Sequence, residues 1–155
     1  MTDCKGCDTP MDQNFILEID NSEIVLSLEH KCRSLIGSLM YAMIGSRPDI
    51  AISVCYLSRF QSKPCEKLYK SIKRVLRYIT QTVNYSLCFK KDNNVSNGIL
   101  VGYADADFGR DTVDRKSTSG YLFKLFNNTV IWKLRKQSTV ALSTTESELI
   151  SLCEA

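Results

Sequence analysis

Apolar residues recur at helical spacing through residue 79 and then change to alternation, and this switch of period constrains the fold most. Over 32–44, Leu35, Ile36, Leu39, Met40 and Met43 form one helical stripe, and Gly45 stops it. Pro48 suits the first turn of a second helix reaching about Phe60, with Ile52, Cys55 and either Val54 or Leu57 expected inside. Pro64 opens a third helix with Leu68, Ile72, Val75, Leu76 and Ile79 on one side. Its opposite side carries Lys67, Lys70, Lys73, Arg74 and Arg77, so apolar and cationic faces separate cleanly.

Past residue 84 the pattern is that of strands. Tyr85, Leu87 and Phe89 alternate, and 90–94 read as a turn. A short strand is expected over 99–104, ending in acids, and two more over 119–126 and 129–133. The pair Asn127-Asn128 is placed as a tight two-residue hairpin loop, because asparagine tolerates positive φ. Ser143 and Glu146 have capping-box spacing, which starts a helix expected to continue to Ala155. The predicted class is α+β: a lead-in over 1–30, a helical unit of about three helices over 31–83, and a β-β-β-α half over 84–155.

The net charge of +3 averages a strong asymmetry. Residues 1–30 hold seven acids and Lys5, a balance of −6, whereas 59–91 hold nine bases and Glu66, a balance of +8. A basic helix interleaved with Phe60, Tyr69 and Tyr78 is the electrostatic footprint of a phosphate-backbone surface. A solvated helix face is the plainer alternative. No apolar run approaches the roughly 20 residues of a membrane span. The polar, acidic first residues do not read as a signal peptide. An intracellular location, cytoplasmic or nuclear, is therefore expected, in which the seven scattered cysteines stay reduced. Cys4 and Cys7 form one C-x-x-C, but with His30 as the sole histidine they read as an irregular segment rather than a zinc site.

Asp105 and Asp107 close the first strand of the second half, and Glu146 and Glu148 lie in the first turns of the last helix. Carboxylates on a strand end and a facing helix can hold Mg²⁺, a hard ion that wants oxygen ligands. By themselves such acids are more often turn formers and caps.

Several blocks give this pattern a context. Cys32-Arg-Ser-Leu-Ile-Gly-Ser-Leu-Met-Tyr41, Ser46-Arg-Pro-Asp-Ile50, Leu57-Ser-Arg-Phe60 and Lys73-Arg-Val-Leu-Arg-Tyr78 come first. Gly102-Tyr-Ala-Asp-Ala-Asp-Phe108, Asp114-Arg-Lys-Ser-Thr-Ser-Gly-Tyr121 and Val140-Ala-Leu-Ser-Thr-Thr-Glu-Ser-Glu148 follow in the same order. Over 32–155 the chain resembles the Pol polyprotein of copia-type LTR retrotransposons, where the C-terminal part of reverse transcriptase joins ribonuclease H.

That resemblance implies a ribonuclease H-like, incomplete β-β-β-α half. It also implies a complete enzyme that hydrolyses RNA in RNA–DNA hybrids with two Mg²⁺ ions, which activate water and stabilise the leaving oxygen. Asp105 and Glu148 match two of its catalytic metal ligands, Glu146 is left to cap its helix, and Asp107 is peripheral. Phe108 stands where the family usually has Trp, and Trp132 is expected to pack the sheet. The family's later metal carboxylates and the polymerase Tyr-x-Asp-Asp have no counterpart here, so the chain is expected to be an inactive segment by itself. Its expected partners are an RNA–DNA hybrid backbone and the rest of the polyprotein, not a membrane. A non-catalytic nucleic-acid-binding module using 64–81, or a remnant without function, are the alternatives.

Overall fold

In the computed structural model, residues 4–12, 15–91, 99–111 and 114–155 are described. The chain divides into two units, Met1–Ser86 and Leu87–Ala155. The helices and the three-stranded antiparallel sheet give an α+β fold.

The first unit is built on α1 (Glu29–Gly45), α2 (Ala51–Ser58) and α3 (Glu66–Gln81). α1 begins three residues ahead of its expected start, continuing a 3-10 turn over Leu26–Leu28. It buries Cys32, Ile36 and Leu39. Pro48 opens a 3-10 turn, Pro48–Ile50, that runs into α2. This turn sets the phase of α2 so that Ile50, Val54 and Leu57 enter the core. Ile52, expected inside, is 62% exposed, and Cys55 is half-buried. α3 buries Leu68, Ile72, Val75 and Tyr78, while Leu76 and Ile79 pack at the core margin. The Cys65 thiol caps α3 by accepting from the Leu68 amide at 3.4 Å. Leu17 from the lead-in completes this core, and its N–H donates to Tyr56 Oη at 2.9 Å.

A polar cluster joins the start of α2 to the end of α3. The Arg47 guanidinium forks onto Asp49, with Nε 2.9 Å from Oδ1 and Nη2 2.8 Å from Oδ2. It also donates to Thr82 Oγ1 at 2.6 Å and to Thr82 O at 3.2 Å. Tyr78 Oη donates to Asp49 Oδ2 at 2.9 Å, and the guanidinium lies over the Tyr78 and Tyr85 rings. Arg47 is buried by this arrangement. A planar fork saturated by carboxylate, hydroxyl and carbonyl oxygens is the usual condition for burying a charge.

The second unit carries β1 (Leu100–Asp107), β2 (Thr118–Leu125), β3 (Asn128–Lys136) and α4 (Thr144–Glu154). The sheet order is β1-β2-β3, so among the described residues β1 and β3 are its edges. Residues 84–91 form no strand despite their alternation, and Tyr85 and Phe89 are exposed. The turn expected at 90–94 falls mostly outside the described residues. The hairpin loop does have two residues with positive φ, but they are Phe126 (48°) and Asn127 (63°), one position earlier than expected. The shift frees Asn128 to serve as a clamp: its side chain accepts from the Lys90 amide at 2.7 Å and donates to the Lys90 carbonyl at 3.0 Å. A bulge follows, because Phe123 pairs with Ile131 and Lys124 with Thr129, leaving Val130 extra. Gly102 lies opposite Phe123, whose ring occupies the space a Cβ there would need.

Small polar side chains, not large apolar ones, seal α4 to the sheet. Ser119, Gln137, Ser147 and Ser151 are buried, whereas Leu149 and Leu152 are exposed. Gln137 Nε2 donates both to Ser119 Oγ and to Ser147 O at 2.9 Å, bridging strand and helix. Its Oε1 is buried without a hydrogen-bond partner among the described residues. Gln137→Ala is expected to cost about 1–3 kcal/mol, since it strips the buried Ser119 hydroxyl and the Ser147 carbonyl of a hydrogen bond each. Trp132, half-buried in β3 and the sole tryptophan, gives the reading: its fluorescence should report a lower denaturation midpoint.

Candidate metal and nucleic-acid sites

Ser143 caps α4 as its spacing predicts, with Oγ accepting from the Glu146 amide at 3.1 Å. Glu146 Oε2 accepts from the Leu142 amide at 2.6 Å, so this carboxylate belongs to the start of its own helix. With Ser147 and Ser151 turned to the sheet, Glu148 is exposed. Ser151 Oγ donates to the Asp105 main-chain carbonyl at 2.6 Å, which fixes α4 against β1 within three residues of Glu148.

Asp105 lies within β1, opposite Gly120, rather than just beyond a strand end. Burial alternates along this stretch: Ala104 and Ala106 are half-covered, while Tyr103, Asp105 and Asp107 are exposed. Asp105 Oδ1 accepts from the Ala106 amide at 2.9 Å. Asp107 pairs with Arg110 at 3.3 Å and so holds its own loop. The strand of Asp105 and the helix of Glu148 are therefore packed together, with both carboxylates in solvent.

The donor type of this pair fits Mg²⁺, but the donor number does not. Among the described residues no group of three or more His, Cys, Asp or Glu could hold a metal ion, Cys4 and Cys7 included. Two exposed carboxylates leave most of the ion's coordination to water.

The polar turn before β2 is more ordered than its sequence suggests. Lys136 Nζ pairs with Asp111 at 2.6 Å and with Asp114 at 2.7 Å, tying the turn to the end of β3. The Lys136 hydrogen bond holds the Asp114 carboxyl below its ordinary value. Gly109 adopts φ 57° here, and its amide donates to the buried Ser117 hydroxyl.

The cationic face of α3 is the second candidate. Lys67, Lys70 and Lys73 are exposed, and Arg74 and Arg77 are half-buried. The acidic lead-in runs along this face. Asp12 takes a two-pronged contact from Arg74 at 2.7 and 2.9 Å, and Thr9 Oγ1 accepts from the same guanidinium at 3.0 Å. The carbonyls of Lys5 and Gly6 accept from Arg77 at 2.6 and 3.3 Å. Glu23 pairs with Lys67 at 3.0 Å, and Gln81 donates to Asp8 at 2.7 Å. Lys73 sits 4.3 Å above the Tyr69 ring, and Lys70 has no ion-pair partner among the described residues.

Three curated relatives place the chain. It is 48% identical over 122 residues to secreted RxLR effector protein 161 of Plasmopara viticola, covering 79% of this chain and 84% of that protein. It is 45% identical over 121 residues to the retrovirus-related Pol polyprotein from transposon TNT 1-94 of Nicotiana tabacum. It is 39% identical over 120 residues to the corresponding polyprotein from transposon RE1 of Arabidopsis thaliana. The chain is thus related to retrotransposon Pol polyproteins. The matches cover 78% and 77% of the present chain but only 9% and 8% of the two polyproteins, so this Pol-related chain corresponds to a small part of each. No family model and no solved structure matches it. No helix among its described residues is long and apolar enough to cross a membrane.

Sequence reasoning missed the pairing of the lead-in with α3, although opposite net charges on 1–30 and 59–91 were the available signal. It also gave no role to Arg47 and Asp49. The cysteines are free, and burial raises the thiol pKa of Cys32 and of Cys55, which disfavours the reactive thiolate.

Proposed function

We propose that this Pol-related chain is the junction between the reverse-transcriptase tail, over 31–83, and the N-terminal half of a ribonuclease H-like domain, over 84–155. The complete polyprotein would hydrolyse the RNA strand of RNA–DNA hybrids, with Asp105 and Glu148 among its Mg²⁺ ligands. The observation that carries this reading is the seating of α4 on β1 through Ser151 and Asp105, which puts the two matched carboxylates on packed elements. A pair of carboxylates is too few for a tight Mg²⁺ site, so the chain alone binds hybrid without cutting it. Purified protein with Mg²⁺ and a labelled hybrid should release no product. Cleavage that disappears in Asp105→Asn would overturn the inactivity.

Retention of the hybrid falls to α3, whose cations face away from the core. Binding should be independent of sequence and should weaken steeply with salt, because each neutralised phosphate releases counterions. Changing Lys70, Lys73, Arg74 and Arg77 together to Ala should flatten the slope of log K against log salt by up to about 3–4, near 0.9 for each phosphate left without its cation on duplex DNA. An unchanged slope in a folded variant would remove α3 from the interface.

A further inference from the structure

We propose that the acidic N-terminal segment masks the phosphate-binding face of α3, competing within the chain for the cations a nucleic-acid backbone would use. This rests on the reading of α3 as that interface. The mask is specific in geometry. Asp12 presents two oxygens to the Arg74 guanidinium, as a phosphate would, and Glu23 occupies Lys67. Main-chain carbonyls at Lys5 and Gly6 hold Arg77. Three of the five cations on this face are thus engaged by the lead-in, and Lys70 and Lys73 have no lead-in partner among the described residues.

The mask is also displaceable. Its ion pairs lie at the surface, where such pairs contribute little and are screened by salt. A cleft of about 260 Å³ beside the Asp12–Arg74 pair is lined by Lys70, Ser71, Arg74 and Arg77 on the α3 side. Lys70 and Arg74 both line this cleft, so a phosphate drawn to Lys70 would stand beside the guanidinium that Asp12 holds. A polyanion then wins by number: it meets several cations at once, whereas each lead-in carboxylate meets one.

The test compares the wild-type chain with Asp12→Asn/Glu23→Gln, an isosteric pair of changes at an exposed and a half-buried position. Affinity for an RNA–DNA hybrid is measured against salt, with circular dichroism confirming the fold. The unmasked variant should bind about 3–10-fold tighter at low salt and show a slope steeper by up to about 2, one unit for each cation released. In wild type, hybrid should raise hydrogen exchange over 5–12. Equal affinity, slope and exchange would overturn the mask, even if Lys70→Ala/Lys73→Ala still weakens binding and so upholds α3 as the interface. If Lys70→Ala/Lys73→Ala has no effect in either background, α3 is not the interface, and the mask falls with it.

Discussion

Replacing Asp49 by Ala is expected to cost the first unit about 3 kcal/mol, the lower end for breaking a buried ion pair, because Asp49 keeps some contact with water. The reason is what remains. Arg47 would stay charged and buried, with Thr82 oxygens and the Tyr78 and Tyr85 side chains around it but no opposite charge. Arg47→Met should cost less, because an apolar stem of similar length can fill the space and the Asp49 left behind can hydrate. An order opposite to this in urea melts followed by far-ultraviolet circular dichroism would show that lost packing, rather than a stranded charge, dominates the cluster.

The same cluster sets an acid limit. Burial alone would raise the Asp49 carboxyl, but the hydrogen bonds from Arg47 and Tyr78 and the Arg47 charge outweigh it and hold the value below the ordinary 3.8. A carboxylate depressed in the folded state adds stability above its unfolded pKa, and that stability is lost as pH falls through the folded value. The first unit should therefore weaken below about pH 4, and Asp49→Ala should lose part of that dependence. Tyr78 acts at the other end. Burial, then the Asp49 hydrogen bond, raises its phenol, so its contribution fades as pH rises beyond the ordinary tyrosine range.

Ile72→Ala is expected to destabilise the first unit by about 2–5 kcal/mol, the cost of lost transfer energy plus the cavity left in a packed core. Ile72 is fully buried on α3, and a small unit has only about 5–15 kcal/mol to lose. Ile52→Ala on α2 is the matched control, since the same atoms are removed from a side chain that is mostly in solvent. It should shift stability by no more than about 0.5 kcal/mol. Equal losses at the two positions would contradict the phase assigned to α2.

That phase shows where sequence reading runs out. The run 50–57 is apolar on nearly every side, so periodicity alone could not choose between Ile52 and Val54. The choice was made by the turn Pro48–Ile50, anchored by Arg47 to residues 35 positions away. The hairpin is similar. Asn127-Asn128 announced a two-residue loop, but Asn128 bonds to Lys90 across 38 residues, and the loop moved by one. For the candidate site, the capping spacing of Ser143 and Glu146 assigned one acid to the helix start correctly. The family resemblance, not spacing, singled out Asp105 and Glu148.

The sequence by itself determined the order of elements, the change from helical to strand period, the α4 cap and the separation of core and cationic faces on α3. All of these rest on side-chain spacing within a few residues, where backbone geometry dictates which groups share a face. Tertiary structure alone decided that the acidic lead-in lies on that cationic face, that Arg47 is buried with Asp49, and that serines and a glutamine seal α4 to its sheet. Those outcomes depend on interactions spanning ten to more than seventy residues, with partners that nothing in the local sequence specifies.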